Sequence, residues 1–134
     1  MNSAVSLRLL FAGLSGMSAV GLGAFAAHGL KSRLSEYLLS VFETGVLYQF
    51  LHTLAIIACV VLIQLNSDEK MQKSLLRASN CFIIGILCFS GSLYGLALTG
   101  IKWFGPVTPF GGLMFMLGWG FITYSAIQRF KVTQ

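Results

Sequence analysis

Four long stretches of this chain contain no Asp, Glu, Lys or Arg: residues 9–30, 45–65, 81–101 and 110–127. Each is close to the roughly 20 mostly apolar residues that a helix needs to cross a bilayer core about 30 Å thick. Because that core holds no water for backbone N–H and C=O groups, a crossing segment has to be a helix that pairs its own. Hydrophobic residues make up 56% of the 134 residues and charged residues only 10%. The sequence therefore predicts an all-α polytopic membrane protein, a single four-transmembrane-helix bundle spanning residues 1–134.

The segment between the first two crossings, residues 31–43, predicts a short amphipathic helix. Its apolar residues recur at the i, i+3, i+4, i+7 and i+8 spacing of one helical face, in the set Leu34, Tyr37, Leu38, Val41 and Phe42. We expect such a helix to lie along the membrane interface with its apolar face toward the acyl chains or the bundle. The alternative is that these residues only extend a neighbouring crossing.

The basic residues indicate how the chain is oriented. Four crossings place six Lys and Arg on the side of the termini and three on the other side, namely Arg8, Lys70, Lys73, Arg77, Arg129 and Lys131 against Lys31, Arg33 and Lys102. By the positive-inside rule, the N- and C-termini are cytoplasmic. Because these charges are scattered over short connections, they form no basic patch of the kind that binds nucleic acid. The first crossing also resembles a signal peptide, but its apolar run is longer than a signal core, which favours a retained helix.

Small residues recur along the predicted crossings at the spacing of one helical face. Since lipid is as apolar as a leucine side chain, membrane helices associate through close backbone approach, dispersion and interhelical hydrogen bonds. We therefore expect helix-packing surfaces at Ala19, Gly23 and Ala27, at Gly91 and Gly95, and at Gly111 and Gly118. The alternative for these glycines is a set of hinges in a transporter.

A group of polar residues lies toward the outer half of the predicted bundle: His28, Glu43, Tyr48, Gln49, His52, Ser90 and Tyr94. Ionisable residues in membrane segments are uncommon and are candidates for function. Three interpretations remain open: a hydrogen-bonded structural cluster, a site for a lipid or small molecule, and a metal site built on His28 and His52 with Glu43. Tyr48, Gln49 and His52 are spaced so that all three can face one partner.

The sequence offers little support for catalysis. It contains no G-x-S-x-G, H-E-x-x-H or phosphate-loop motif, so we expect no enzyme activity and no cofactor. Cys59, Cys81 and Cys88 lie in or beside apolar stretches without C-x-x-C spacing, which is typical of small buried hydrophobic residues.

Two segments carry a resemblance to a known family. Residues 23–30 read Gly-Ala-Phe-Ala-Ala-His-Gly-Leu, and residues 48–52 read Tyr-Gln-Phe-Leu-His. With the Gly- and Pro-containing segment 105–112, they resemble the domain of unknown function 423 family, which includes small bacterial inner-membrane proteins of the YgdD type. Ala26 departs from the family, where Gly is frequent at that position. The resemblance implies four helices in the bacterial inner (plasma) membrane. It nominates His28, Gln49 and His52 as candidate functional residues, and it implies no activity.

The combined prediction is a non-enzymatic binding or accessory protein of the membrane. Its expected partners are the lipid bilayer, a bound lipid or hydrophobic ligand, a second copy of the chain, or a larger membrane complex, and they do not include nucleic acid. The alternative function is a metal- or proton-linked transport subunit that uses His28 and His52.

Overall fold

The chain folds into four long helical segments that cross the molecule in alternating directions. The computed structural model describes residues 3–132, with side chains through residue 129. In chain order the elements are α1 (Ser3–Phe25) with a π-helical turn (Ala26–Leu30), α2 (Glu36–Leu65), α3 (Glu69–Gly85), a second π-helical turn (Ile86–Ser90), α4 (Gly91–Thr99), a 3-10 turn (Lys102–Phe104) and α5 (Val107–Val132). The four segments are Ser3–Leu30, Glu36–Leu65, Glu69–Thr99 and Lys102–Arg129, and all are long and apolar enough to cross a membrane. The predicted four-helix membrane fold is confirmed.

Short polar connections end and restart the helices. The Ser35 hydroxyl accepts a hydrogen bond from the Leu38 N–H at 3.3 Å at the start of α2, and the Asp68 carboxylate accepts one from the Lys70 N–H at 2.9 Å at the start of α3. Both are N-caps, which satisfy donors that have no partner within the helix. At the end of α4, Gly100 adopts a left-handed φ of 70° that glycine tolerates best. The sequence therefore sets sharp boundaries to the second and third segments.

The amphipathic residues 36–43 are helical, but they are not a separate interfacial helix. They form the first two turns of α2, whose 30 residues run for about 45 Å without a break. The reason is that Phe42 is completely buried, with its ring 6.4 Å from Phe25 and 4.8 Å from Tyr94 between centroids. These contacts hold the segment against the bundle, and the alternative of an extended second crossing is the correct one.

The core has a large and a small cluster. The large one joins α1, α2, α3 and α5 around buried side chains such as Ile56, Leu75, Phe82 and Phe115. The small one lies near the opposite end of the bundle, where Ala26, Leu30, Phe42 and Ala97 meet. The most extensive helix contact is between α3 and α5, whereas α1 packs mainly along α2. The side of α1 that faces α4 is therefore loosely filled.

Several predicted small residues permit close helix contacts. A Cβ at Gly111 would collide with the backbone nitrogen of Phe89, and one at Gly118 would collide with the Phe82 ring. At Gly95 a Cβ would lie 2.8 Å from the Phe104 ring, and at Gly23 it would lie 3.5 Å from Val46. Ala19 is buried as well. The sequence analysis missed two glycines of the same kind, Gly45 against the Tyr94 ring and Gly85 against Phe115.

Two predicted packing residues, Ala27 and Gly91, face away from the bundle. Ala27 is exposed because the buried residues of this segment follow a seven-residue spacing, in the set Val5, Ala12, Ala19 and Ala26. Gly91 is exposed, with nothing within 4 Å of its Cβ position. The buried residues of α4 are Ser92, Leu93 and Ala97, so Gly91 lies outside the packed face of this helix. The prediction that every fourth small residue forms a packing surface is therefore wrong at these two positions.

Candidate functional site

Gln49, in the middle of α2, is the centre of a buried hydrogen-bond network that joins three helical segments. Its amide nitrogen donates to the Ser15 carbonyl at 2.9 Å and to the Ser18 hydroxyl at 2.8 Å, both on α1. Its amide oxygen accepts from the Tyr94 hydroxyl of α4 at 2.7 Å. Ser15 also exchanges a 2.7 Å hydrogen bond with Thr53. Two of the predicted residues, Gln49 and Tyr94, thus meet directly.

Ser90 ties the second π-helical turn to α2. Its hydroxyl donates to the Gly45 carbonyl at 2.7 Å, in a buried contact between sequence-distant residues. A Cβ at Gly45 would lie 2.8 Å from the Tyr94 ring, so the close approach depends on glycine at this position. A carbonyl inside a helix already accepts one hydrogen bond, and the second lone pair is used here to join two helices.

His52 belongs to a different cluster, on the side of α2 that faces α5. Its Nδ1 lies 2.8 Å from the Tyr48 carbonyl, and its Nε2 accepts the indole N–H of Trp119 at 3.2 Å. Its ring stacks on Phe115 with a centroid separation of 3.6 Å and an interplanar angle of 9°. Tyr48, Gln49 and His52 therefore do not share one partner, because Gln49 turns toward α1 and His52 toward α5.

His28 and Glu43 are not part of either cluster, and both are exposed near the opposite end of the bundle from Arg8. The pairing of α1 with α2 shows how far His28 is from His52. Ser15 meets Thr53, and Phe25 meets Phe42, so His52 is level with about residue 16 of α1. His28 is about 12 residues further along, which is about 18 Å in a helix.

The proposed metal ligands are thus not brought together. Both ring nitrogens of His52 are engaged in hydrogen bonds. Throughout the part of the chain that the structure describes, no three His, Cys, Asp or Glu side chains are placed to hold one metal ion. A transport pathway that uses His28 and His52 as a pair has no support in this geometry.

An open groove of about 590 Å³ lies between α1 and the third segment, directly over Gln49. Residues of the Gln49 network are among those that line it, but almost all of the surface presented to the groove is apolar. Met17 and Leu87 on the rims are 70% and 62% exposed, and Gly91 leaves the wall of α4 without a side chain. This part of α1 is the middle of the first membrane-length segment, Ser3–Leu30, so the groove lies level with the middle of that segment.

A second groove, of about 650 Å³, lies beside the His52 cluster. Aromatic rings line most of it, in the set Tyr48, Phe89, Phe115 and Trp119 together with the His52 imidazole. These rings pack on one another, with Tyr48 4.6 Å from Phe89 between centroids. Both ring nitrogens of His52 have partners within the bundle, and the rings pack α2 against α5.

Several residues of these networks were missed by sequence reasoning. Ser18 lies three residues after Ser15 on one helical face of α1, and that spacing is a signal that could have been used. Trp119 carries no local signal, because its link to His52 spans 67 residues. Arg8 was counted only as a flanking charge, yet it donates to Ser79 at 2.7 Å, to Asn80 at 2.6 Å and to the Ala4 carbonyl at 2.6 Å.

Comparisons with known proteins agree with the fold. A family model described as a protein of unknown function (DUF423) matches residues 22–112. A UPF0382 membrane protein of Staphylococcus aureus is 41% identical over 115 residues, covering 86% of this chain and 90% of that protein. A UPF0382 membrane protein of Haemophilus influenzae is 41% identical over 120 residues, covering 90% and 93%. The UPF0382 inner membrane protein YgdD of Escherichia coli is 38% identical over 120 residues, covering 90% and 88%. No solved structure matches the chain.

Proposed function

This chain belongs to the DUF423 family of membrane proteins of unknown function, and on that premise we propose that it binds a lipid or other hydrophobic small molecule without catalysing a reaction. The proposed site is the groove between α1 and the third segment, and the proposed location is the bacterial inner membrane. One observation carries the proposal. An open groove with an almost entirely apolar lining lies between α1 and the third segment, level with the middle of the first membrane-length segment.

The size and lining of the groove suit a small ligand. Its volume of about 590 Å³ is within the usual range of small-molecule sites, roughly 300 to 1,000 Å³. Such sites combine apolar walls with a few polar groups that orient the ligand. Here the lining is almost entirely apolar, with residues such as Leu14, Met17 and Leu87, which suits a hydrophobic ligand.

The types of residue that line the groove support binding rather than catalysis. The residues that line the groove include no carboxylate, imidazole or amine side chain. A nucleophile needs an adjacent base, and general acid–base catalysis needs a group that titrates near the working pH. Amide and hydroxyl groups can hold and orient a ligand, but they provide neither the adjacent base nor the titrating group.

Gly91 provides a direct test, because it lines the groove and nothing lies within 4 Å of its Cβ position. We expect Gly91→Leu to keep the fold and to block the site. Gly13→Leu is the matched control, since Gly13 is also exposed, also has nothing within 4 Å of its Cβ position, and does not line the groove. Both variants add the same side chain to a lipid-facing helix position.

Native mass spectrometry of protein extracted from its own membrane in mild detergent measures the outcome. The natural chain and Gly13→Leu are expected to retain a bound molecule that Gly91→Leu lacks. The proposal fails if the natural chain carries no such molecule, or if Gly91→Leu retains it in the same proportion.

A further inference from the structure

We infer that the chain binds an anionic phospholipid in a groove between α3 and α5, where Arg77 holds the phosphate group and the apolar wall holds an acyl chain. The groove has a volume of about 340 Å³ and is lined by Arg77, Leu117, Gly120, Phe121 and Tyr124. None of these residues lines the groove between α1 and the third segment. The inference therefore does not depend on the function proposed above.

Arg77 is a cation that has no partner from the protein. It is exposed, and its side chain forms no ion pair or hydrogen bond with any residue in the part of the chain that the structure describes. The sequence contains no Asp or Glu after Glu69, so no carboxylate side chain of α4 or α5 can pair with it. A guanidinium has five N–H donors, and those of Arg77 are open to a group from outside the chain.

Arg77 lies at one end of the charge-free stretch of the third segment. Residues 78–101 contain no Asp, Glu, Lys or Arg, and Lys102 follows at the other end. As a helix this stretch is about 36 Å long, so a bilayer core of about 30 Å fits between the two cations. We therefore expect Arg77 at the depth of the phosphate groups of one leaflet. Arginine binds a phosphate through two parallel N–H···O bonds.

The rest of the groove suits an acyl chain. Leu117 and Phe121 supply apolar wall, and the α5 side of the groove extends for about 10 Å from Tyr124 to Leu117. Gly120 is exposed, with nothing within 4 Å of its Cβ position, so the wall is open beside it. A phospholipid uses both the cation and the apolar wall, whereas a free phosphate ion uses only the cation. The two features together favour the lipid.

The charge at this end of the bundle favours an anionic lipid over a zwitterionic one. Six of the nine Lys and Arg residues lie on the side of the termini, together with only two acidic residues, Asp68 and Glu69. Such a surplus attracts anionic headgroups and repels the ammonium group of phosphatidylethanolamine. One basic residue near the membrane surface changes a dissociation constant by about fivefold. We expect phosphatidylglycerol to bind at least about fivefold more tightly than phosphatidylethanolamine with the same acyl chains.

Native mass spectrometry of the purified chain in one mild detergent tests the role of Arg77. Each of the two lipids is titrated, and its dissociation constant is read from the lipid-bound fraction. Arg77→Gln is expected to weaken the binding of phosphatidylglycerol by about fivefold. Lys70→Gln is the matched control, because it removes the same charge from an exposed position of α3 outside the groove. Since Arg77 bonds to no described residue, the thermal unfolding midpoint of its variant is expected to stay unchanged.

Gly120→Leu tests the acyl-chain half of the site. It adds a side chain to the groove and keeps Arg77, and it is expected to weaken the binding of phosphatidylglycerol several-fold. Gly13→Leu is the control, since Gly13 is also exposed, also has nothing within 4 Å of its Cβ position, and does not line this groove. Gly91→Leu is expected to leave the binding of phosphatidylglycerol unchanged, because Gly91 lines the other groove.

Three results would overturn the inference. Equal weakening by Arg77→Gln and Lys70→Gln would mean that overall charge, and not a site at Arg77, attracts the lipid. Unchanged binding in Gly120→Leu would mean that the groove holds no acyl chain. Loss of phosphatidylglycerol in Gly91→Leu but not in Gly120→Leu would place the lipid in the other groove, which would overturn this site and support the function proposed above.

Discussion

The indole N–H of Trp119 donates to Nε2 of His52 over 3.2 Å and joins α5 to α2. An indole nitrogen can only donate, so this bond leaves Nε2 without a proton. The ring hydrogen is then on Nδ1, which donates to the Tyr48 carbonyl at 2.8 Å. His52 is therefore held neutral, with both nitrogens satisfied, and it stacks on Phe115 at 3.6 Å between ring centroids.

Trp119→Phe is expected to destabilise the bundle. The substitution keeps an aromatic ring but leaves Nε2 of His52 unpaired, at a cost of about 1 to 2 kcal/mol in the free energy of unfolding. The measurement is the thermal unfolding midpoint in detergent. Trp103→Phe is the control, since Trp103 is 86% exposed. Equal midpoints for the two variants would show that the His52 bond contributes nothing.

Gly111→Ala is expected to disrupt the contact between α5 and the second π-helical turn. A methyl group at Gly111 meets the Phe89 backbone, which cannot move aside as a flexible side chain does. Overpacking of this kind costs about 1 to 3 kcal/mol. Gly120→Ala, on the same helix with nothing within 4 Å of its Cβ position, is expected to be neutral or slightly stabilising. Thermal unfolding of both variants checks the difference, and a stable Gly111→Ala would mean that the helices are further apart than described.

Arg8→Lys is expected to weaken the attachment of α1 to α3 even though it keeps the charge. The guanidinium donates from three different nitrogens, to Ser79, Asn80 and the Ala4 carbonyl. A lysine ammonium presents its donors from a single atom and cannot span these acceptors. A loss of about 1 kcal/mol is expected. Arg33→Lys, at an exposed position in the first connection, is the control, and equal losses would refute a specific role for Arg8.

The charge distribution predicts that both termini are cytoplasmic. Ser32→Cys and Ser67→Cys introduce thiols in the first and second connections, both at exposed positions. In spheroplasts, a membrane-impermeant maleimide is expected to label Ser32→Cys at once and Ser67→Cys only after lysis. The natural chain is the blank for its own three cysteines. The reverse labelling pattern would invert the topology and leave the fold unchanged.

The sequence alone determined the number of crossings, because uncharged stretches of about 20 residues are stable only in lipid, and a crossing has to be helical. It also identified Gln49, His52 and Tyr94 as costly polar residues in apolar surroundings. Local spacing was enough to predict that Gly118 packs against a neighbouring helix, because it follows Gly111 by seven residues on one face of α5.

Only the tertiary structure decided which of these residues meet. Gln49 and His52 are three residues apart, yet they turn to opposite partners, because the network of Gln49 depends on Ser15 and Tyr94 and that of His52 depends on Trp119. Gly91 lies outside the packed face of α4, which is formed by Ser92, Leu93 and Ala97. These outcomes depend on contacts between residues far apart in the chain, and a periodic pattern along one segment does not contain those contacts.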